Sequence, residues 1–572
     1  MKRRNCSRLL WIALSLAFVE SLCAQDVKVL SQPTVRKAAA FTVVPALRDL
    51  IRQQPQELPF GYRQGEPMRD PKLPRRMRRA AVDVASFHDP VAQGSAAADT
   101  VPIKLLDWMG LGQGFPGYQV HVGTSDMNLS IGDTEIIQWG NDQFAVFDLN
   151  GNNLLFDGKN YVNGNILFAG LPNCGVRNDG DEIAQWDKIA HRWVMLEPVM
   201  ANPGRDCFAI SQTPDALGPW YAYEFAVPNA GTDLSDYGKM AVWPDAYYAS
   251  HNDYTGPAYG TYLGATPCAY ERAKMLAGDP TAQQVCFVDT AQQDKEQYVE
   301  AFDDNLLPSD LDSATTLPPS GMPNVYMGSI DNSQTGIETN VYYYKFHVDW
   351  NNPQNSTFSC VGGSCAIPVA PFHDGAWIGY APEPGGNFLR PMANRLMYRL
   401  AYRADPSPTI ARTIRALPSE HWVVSHAVNN NGSLAVRWYE FRAPVGSSDP
   451  TVYQQGTFAP DSSWRYMSSA AMDKMGNIAL SYTVSDANSV YPSIGYTGRA
   501  KADPLGTMGP EQILVHGTGS ETDTNNLWGD YYDMALSNDG CTFVTTGQYY
   551  VTTASFAWST HVAKLKFANC NP

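Results

Sequence analysis

Residues 469–484, which read SAAMDKMGNIALSYTV, contain the pattern that decides the fold prediction. An apolar run reaches Asp473, a glycine turn follows at Gly476, and every second residue from Ile478 to Val484 is then apolar or aromatic. Alternation with a period of two after a glycine turn predicts a half-buried strand leaving a β-hairpin. Glycine suits the bend because it adopts a positive φ at little cost.

Three other stretches repeat this pattern in a degraded form: residues 144–156 (FAVFDLNGNNLLF), 426–439 (HAVNNNGSLAVRWY) and 534–545 (MALSNDGCTFVT). Each combines an apolar strand, an Asp or Asn at the bend, a glycine and a second apolar strand. A single hairpin is marginally stable, so several copies imply stacked sheets that share a core. We therefore predict an all-β fold, and within that class a β-propeller.

The number of blades follows from the length of the β-rich region. Strand patterns run from about residue 125 to the end of the chain, interrupted only by short helical stretches such as 271–278. Roughly 450 residues without a break in composition suit a propeller better than one sandwich. We expect seven blades, within a range of six to eight, and we expect the last strand, HVAKLKF at 561–567, to pair with an early strand and close the ring.

The N-terminal region divides into two predicted segments. Residues 1–24 have the pattern of a signal peptide, because basic residues precede the apolar stretch 9–19 and LCA at 22–24 forms a cleavage box. Residues 25–104 are rich in Pro, Gln and Arg and are expected to form an extension, linker or propeptide. Their basic run, PKLPRRMRRA at 71–80, is either a protease-sensitive site or a solvated tether. The propeller domain would then span 105–572.

Cysteine usage and charge indicate an exported protein. Eight cysteines follow the signal peptide, and an even number in an exported chain predicts disulfides. Pairing of sequence neighbours is the natural expectation, with other connectivities left open: Cys174 with Cys207, Cys268 with Cys286, Cys360 with Cys365, and Cys541 with Cys570. The formal net charge of -16 disfavours nucleic acid as a partner. We expect a secreted monomer, extracellular or periplasmic, without a membrane span.

Three arginines in NRLMYRLAYR form the first candidate binding set. On a strand, Arg395, Arg399 and Arg403 fall on one face, although a helix would also align residues four apart. Converging guanidinium groups would receive a carboxylate or sulfate. The alternative is a set of salt bridges within an acidic protein.

The loop CGVRNDGDE at 174–182 is the second candidate. Asp181 and Glu182 beside Arg177 could supply a general acid and a general base, since proximity separates the pKa values of paired carboxyls. The same oxygen ligands would suit calcium, the one metal we consider, and no other cofactor is expected. A plain polar turn before a strand is the alternative.

Aromatic and acidic residues alternate in two further segments, 236–253 and 528–533 (WGDYYD). Flat aromatic faces beside carboxylates suit sugar rings, although aromatic residues also fill the space between propeller sheets. The first segment contributes the candidates Asp245, Trp243, Tyr248 and His251. The second contributes Trp528 and Asp530.

Much of the chain from about 105 to 570 also resembles a known family. The motifs include GLGQGFPGYQV (110–120), KMAVWPDAYYASHN (239–252) and WGDYYDMAL (528–536). They resemble a family of bacterial secreted proteins of poorly defined function, whose members are similar to β-propellers of the sialidase and Asp-box superfamily. The resemblance implies the propeller fold. SAAMDKMGNIAL and LSNDGCTF do not match the Asp-box spacing S-x-D-x-G-x-x-W, so no catalytic residue is carried over.

Two functional hypotheses result. The first is a secreted propeller that binds glycans in a central funnel, as a lectin or as a cleaving enzyme of the glycoside hydrolase or polysaccharide lyase type. The second is a noncatalytic scaffold that presents loops to a protein or cell surface. For the first, the catalytic candidates are Asp181, Glu182, Asp245 and Asp530, and the substrate-binding candidates are Arg177, Arg395, Arg399, Arg403, Trp243, Tyr248, His251 and Trp528.

Overall fold

A computed structural model of the protein describes most of the chain. The described residues are 28–29, 32–53, 87–94, 99–120, 122–156, 160–201, 203–228, 233–255, 262–288, 306–313, 315–329, 336–360, 365–392, 395–405 and 418–571. The predicted signal peptide and the basic run at 71–80 lie outside them. None of the helices in the described part has the length and apolar character needed to cross a bilayer.

The first six regular elements precede the repeated sheets. They are β1 Lys28–Val29, β2 Thr34–Lys37, β3 Ala40–Val44, α1 Leu47–Gln53, β4 Ala92–Gln93 and β5 Ile103–Gly112. Each of these five strands adds to the edge of a sheet formed by the later chain. The segment predicted as an extension or linker therefore contributes strands to the body of the protein.

Seven successive units of antiparallel strands follow. Unit 1 contains β6 Asn128–Ile131, β7 Glu135–Gly140, β8 Gln143–Asp148 and β9 Val162–Asn163. Unit 2 contains β10 Ile183–Asp187, β11 Arg192–Val199, β12 Arg205–Ser211 and β13 Trp220–Ala226. Unit 3 contains β14 Asp233–Val242, β15 Tyr247–Thr255, β16 Tyr262–Tyr270 and β17 Gln283–Cys286, with α2 Arg272–Leu276 before its last strand.

Units 4 and 5 share one large sheet, because their first strands pair in parallel. Unit 4 contains β18 Leu307–Leu311, β19 Asn324–Gly328, β20 Ile337–His347 and β21 Thr357–Cys360. Three connecting strands follow, β22 Ala366–Asp374, β23 Ala381–Pro382 and β24 Phe388–Leu389. Unit 5 contains β25 Leu400–Ala404, β26 Ser419–Asn430, β27 Ser433–Pro444 and β28 Thr451–Phe458.

The last two units complete the chain. Unit 6 contains β29 Trp464–Met472, β30 Ile478–Ser485, β31 Ser493–Arg499 and β32 Gln512–Val515. Unit 7 contains β33 Asp533–Leu536, β34 Thr542–Tyr550 and β35 Trp558–Lys566, and it takes its fourth strand from β5. The expected pairing of the last strand with an early strand is confirmed.

Contacts between first strands arrange the units in a closed cycle. The first strand of each unit contacts the first strand of the next, and β33 of unit 7 contacts β6 of unit 1. The outer edges are covered by the N-terminal strands: β3 pairs with β13, β2 with β17, β1 with β21, and β4 with β28. A closed cycle with covered edges leaves few unpaired backbone N–H and C=O groups at the edges of its sheets. This arrangement therefore limits edge-to-edge aggregation.

The predicted hairpins are found where the turn residues place them. Asp473 accepts hydrogen bonds from the amides of Met475 and Asn477, which forms the bend between β29 and β30. Asp539 accepts the amides of Cys541 and Thr542 between β33 and β34 in the same way. These Asx-type bonds compete with regular structure and favour a turn. The stretch 144–156 differs, because β8 is followed by a turn and one isolated bridge rather than by a second strand.

Four disulfides join the cysteine pairs that neighbour pairing predicts: 174 with 207, 268 with 286, 360 with 365, and 541 with 570. Cys268–Cys286 joins β16 to β17 within unit 3, and Cys541–Cys570 ties the chain after β35 to the β33–β34 turn of unit 7. The other two each include a cysteine in a connection: Cys174, before β10, is bonded to Cys207 in β12, and Cys360 in β21 is bonded to Cys365, before β22. Short closed loops of this kind restrict the unfolded chain.

The axis of the cycle is filled by the residues that lead into β25. Tyr398 donates its hydroxyl to the carbonyl of Met240 in unit 3, and its own carbonyl accepts a hydrogen bond from Ser469 in unit 6. The fully buried Arg399 pairs with Asp310 at 2.8 Å and also with Asp312, both in or beside unit 4. Its guanidinium also donates to the carbonyl of Met534 in unit 7. Because these groups fill the centre, a ligand on the axis has to lie beyond one end of the strands.

Candidate functional site

A cluster of charged and aromatic side chains lies where several first strands begin. We call it the axial cluster. Its members are Asp126, Asp181, Asp236, Tyr237, Lys239, Arg390, Arg395, Asp530 and Tyr531. It draws on units 1, 2, 3 and 7 and on the segment between β24 and β25.

An unusual backbone conformation recurs at this level. Four members of the cluster have a positive φ: 43° at Asp126, 57° at Asp181, 54° at Tyr237 and 58° at Asp530. Each lies just before the first strand of its unit or, for Tyr237, at a bulge within it. Non-glycine residues seldom adopt positive φ, although aspartate does so more often than most. Such conformations persist where the surroundings enforce them, which is common at functional sites.

Two carboxyls lie side by side in the cluster. Asp181 and Asp236 each accept the backbone amide of Tyr237, at 2.7 and 2.8 Å, and are hydrogen-bonded to each other. Burial and the negative charge of Asp236 raise the pKa of Asp181 well above its ordinary value. Burial also raises the pKa of Asp236, while the hydrogen bond from Asp181 opposes that rise. The pair can therefore hold one proton at pH values where isolated aspartates are ionised.

Lys239 lies beneath this pair and is fully buried. Its ammonium donates to the carbonyls of Tyr237 and Gly238 at 3.1 Å. It also lies 3.1 Å from the ring centroid of Tyr237 and 4.0 Å from that of Tyr531. Burial lowers its pKa well below the ordinary value, although the charge of Asp181 opposes that effect. Lys239 thus fixes both tyrosine rings and the backbone that carries the carboxyl pair.

Two arginines face the carboxyls from the segment after β24. Arg390 forms a bond of 3.3 Å with the buried Asp530, and its backbone amide donates to Asn526. The guanidinium of Arg395 lies 4.9 Å from the ring centroid of Tyr237. Tyr237 in turn donates its hydroxyl to the carbonyl of Asp530 at 3.0 Å. The cluster therefore combines anions and cations within one connected network.

A small depression opens into the cluster from outside. It is lined by Asp236, Tyr237, Asn252, Tyr254, Arg390, Met392 and Arg395. Its lining contains one carboxyl, two guanidinium groups, an amide and two phenol rings, and all of the lining residues except Arg395 are buried. Asp236 is the member of the carboxyl pair that reaches this surface, while Asp181 lies behind it.

Further carboxyls lie beside the cluster without reaching the depression. Neither oxygen of the buried Glu182 has a hydrogen-bond partner in the described structure. Burial, followed by the charge of Asp126, raises its pKa well above the ordinary value. No group of three or more His, Cys, Asp or Glu side chains among the described residues is arranged to hold a metal ion.

A short hairpin, β23 and β24, leads directly into Arg390. One oxygen of Glu383 in its turn accepts the backbone amide of Glu521 at 3.2 Å, and its other oxygen has no partner in the described structure. Burial raises the pKa of Glu383 from 4.5 to about 8, and the charge of Glu521 adds to the rise. Glu383 is therefore protonated at neutral pH and holds the hairpin in place in that form.

The raised pKa of Glu383 predicts how stability depends on pH. The folded state holds a proton that the unfolded state loses above about pH 4.5, so the contribution of Glu383 to stability falls as the pH rises through about 8. We expect Glu383→Gln to flatten this dependence, because the amide imitates the neutral carboxyl. Melting temperatures of both proteins between pH 5 and 9 test this. Parallel curves for the two proteins would contradict it.

The structure brings some of the sequence-predicted site residues together. Asp181, Asp530 and Arg395 are members of the axial cluster, and Glu182 lies next to it. Arg399 is one layer deeper, in the axis network, and Arg403 follows on β25. The three arginines thus lie at successive depths rather than at one common surface.

The other predicted site residues lie within or between the units. Asp245 is in the turn between β14 and β15, where the hydroxyl of Tyr248 contacts it at 3.3 Å. Trp243 packs edge-on against Tyr402, and Trp528 stacks on Tyr550. His251 lies between Asp206 and Asp253, and Arg177 pairs with Asp179.

Sequence reasoning did not single out Asp126, Lys239, Arg390, Asn252 or Tyr254. A signal for the four cluster carboxyls is present in the sequence. An aspartate lies shortly before the first strand of a unit, or at a bulge within it, in four short segments. They are SDMN (Asp126), GDEI (Asp181), SDYG (Asp236) and GDYY (Asp530). Aligning the units on their first strands would have grouped these four carboxyls. The arginines have no such signal, because they lie on a connection outside the repeated pattern.

The chain is similar to known proteins in structure but not in sequence. No family model and no curated protein matches the chain. A solved structure described as a glycoside hydrolase is 8% identical, covers 59% of this chain and 88% of its own, and has a TM-score of 0.29. A subtype N11 neuraminidase-like protein from a flat-faced bat isolate is 12% identical, with 76% and 99% covered and a TM-score of 0.29.

The NanB sialidase from Streptococcus pneumoniae is 8% identical, covers 78% of this chain and 82% of its own, and has a TM-score of 0.22. TM-scores at this level do not define a fold, so the architecture rests on the strand pairing and the contacts described above. These define the protein as an all-β chain of repeated antiparallel sheets with an acidic and arginine-containing cluster at one end of the axis.

Proposed function

We propose that this protein is a secreted seven-bladed β-propeller that binds an anionic glycan at the axial cluster and cleaves a glycosidic bond there. The seven units are the blades, and the first strands surround the axis. The observation that carries the proposal is the depression that Arg390 and Arg395 line together with the carboxyl of Asp236.

The four disulfides support export. Disulfides persist in oxidising compartments such as the periplasm and the cell exterior. The predicted signal peptide is consistent with the same destination. A protein exported to either place meets extracellular polysaccharides as a substrate class.

The side chains around the depression support an anionic sugar as the ligand. Guanidinium groups bind carboxylates and sulfates through paired hydrogen bonds. Tyr237, Asn252 and Tyr254 are buried and form the floor of the depression, so the anionic group of a sugar, rather than its ring, would enter it. Arg390 bonds Asp530 at 3.3 Å, and Arg395 lies over the ring of Tyr237, so both guanidinium groups are positioned at the depression.

The carboxyl pair supports cleavage. Asp236 lines the depression, and Asp181 behind it holds the shared proton in a hydrogen bond to Asp236. In the proposed step this proton passes through Asp236 to the glycosidic oxygen, the bond from that oxygen to the anomeric carbon breaks, and a water molecule that adds to the anomeric carbon returns a proton to the pair. General acid catalysis works best when the pKa of the acid lies near the working pH, and burial has raised both pKa values. Asp236 is therefore the proposed catalytic residue, and Asp181 is a positioning residue.

Replacement of Arg395 by methionine tests the binding half of the proposal. We expect a loss of about 10- to 100-fold in affinity for an anionic monosaccharide, since a hydrogen bond to a charged group contributes about 1.5–3 kcal/mol. The affinity is measured by calorimetry with sialic, glucuronic and galacturonic acids and with the matching neutral sugars. Arg52→Met on the exposed side of α1 is the matched control and should bind like the wild type.

Two results would overturn the proposal. One is that the wild-type protein binds none of the three acids and cleaves none of their glycosides. The other is that Arg395→Met binds the acids as tightly as Arg52→Met does. In the first case a noncatalytic scaffold would be the remaining interpretation.

A further inference from the structure

The hairpin of β23 and β24 has one buried and one exposed face. Ala381 pairs with Leu389 in its register, and both are fully buried. Neighbouring positions point the other way, because side chains alternate along a strand. On that second face Phe388 is 48% exposed, and Tyr380, one position beyond the Ala381–Leu389 pair, is 40% exposed. Two large aromatic side chains therefore lie on the outer face of a single hairpin.

The exposed aromatic residues lie close along the chain to a residue of the depression. Arg390, which lines the depression beside Asp236, follows Phe388 by two residues, and its side chain turns inward to the buried Asp530. In extended chain, two residues span roughly 6.6 Å. Phe388 is thus within about one sugar unit of Arg390 along the hairpin.

Several bonds hold the hairpin rigidly. Ser485 donates to the carbonyl of Pro382 at 2.9 Å, and Ser520 donates to that of Pro384 at 2.6 Å. At the other end, the amide of Arg390 donates to Asn526. A preorganised aromatic surface loses little conformational freedom when a ligand binds.

We propose that Tyr380 and Phe388 form a second sugar-binding subsite, which stacks a pyranose ring of a glycan chain whose anionic residue lies at Arg390 and Arg395. The inference rests on the proposed function and narrows its substrate class to oligosaccharides and polysaccharides. Sugar C–H groups pack on aromatic faces while the hydroxyl groups stay in water. Single exposed aromatic residues are common on protein surfaces, but here two adjoin a charged site on one fixed element.

Titration with chains of increasing length tests the subsite. The probes are sialic acid and its α2,8-linked tetramer, and galacturonic acid and its α1,4-linked tetramer. For one of these two acids, the wild-type protein should bind the tetramer more tightly than the monomer. Tyr380→Leu and Phe388→Leu should each lower tetramer affinity by about 3- to 10-fold and leave monomer affinity unchanged.

Two controls separate stacking from general damage. Phe388→Trp keeps an aromatic face and should retain the tetramer affinity. Tyr453→Leu removes another exposed aromatic side chain, on β28, and should have no effect.

The outcomes also separate the subsite from the proposed function. A wild type that binds the monomers but gains nothing from the tetramers overturns the subsite and leaves the function standing. The same holds if the double variant Tyr380→Leu/Phe388→Leu keeps the full gain. A wild type that binds neither monomer overturns both.

Discussion

The Asp236→Asn variant is expected to lose about 10²- to 10⁴-fold in the rate of glycoside cleavage, the range that general acid catalysis usually contributes. The amide keeps the shape of the side chain and can still accept the amide of Tyr237, so the fold should survive. It cannot donate a proton to a leaving oxygen. The assay uses 4-methylumbelliferyl glycosides of sialic, glucuronic and galacturonic acid, beginning with the one that the wild type cleaves.

Two further variants accompany this test, one as a control and one to examine the role of Asp181. Asp133→Asn, in the exposed turn after β6, is a matched control that should keep wild-type activity. Asp181→Asn should lower the rate by a smaller factor and shift the pH optimum, because Asp181 acts only through its hydrogen bond to Asp236. If Asp236→Asn cleaves as fast as Asp133→Asn does, the catalytic role of Asp236 is wrong.

The Arg399→Met variant is expected to lose about 3–5 kcal/mol in the free energy of unfolding, because removing one partner of a buried ion pair leaves uncompensated charge. Arg399 is 2% exposed as a side chain, and Asp310 and Asp312 are buried equally well. Both carboxylates would be left without their cation at the centre of the cycle. Denaturation by urea, followed by fluorescence and by circular dichroism, measures the loss.

A triple variant provides the control for this loss. Arg399→Met combined with Asp310→Asn and Asp312→Asn removes the charge on both sides, and a neutral replacement for a buried ion pair is often tolerated. We expect it to recover most of the stability. A single variant that loses less than about 1 kcal/mol would contradict the buried-charge account.

The strand pattern could be predicted from the sequence because it depends on local chemistry. The bends at Asp473 and Asp539 are set by side chains that bond amides two or three residues later, and alternating apolar residues define the faces of the strands. The disulfide partners followed because each pair lies close along the chain. The added strands β1 to β4 could not be recognised, since they are short and lie in segments without apolar periodicity.

The candidate site could be predicted only in part because it is built from distant segments. Asp181 and Asp530 were identified from their local carboxylate and aromatic context. Their proximity to each other depends on closure of the cycle, which no local pattern encodes. The depth at which Arg395, Arg399 and Arg403 lie depends on the path of the chain across the axis, and a spacing of four cannot reveal it.

The order in which the strands pair has a consequence for how quickly the protein can fold. The fully buried Arg437 is bonded to Asp89, which lies 348 residues earlier in the chain. Likewise, β5 pairs with β35, so it cannot pair until residues 558–566 have been synthesised. Contacts so far apart in sequence raise the contact order, and loop-closure entropy has to be overcome before they form. Strands β4 and β5 are therefore made long before the strands with which they pair, and a variant that lacks β35 would leave β5 without a partner strand.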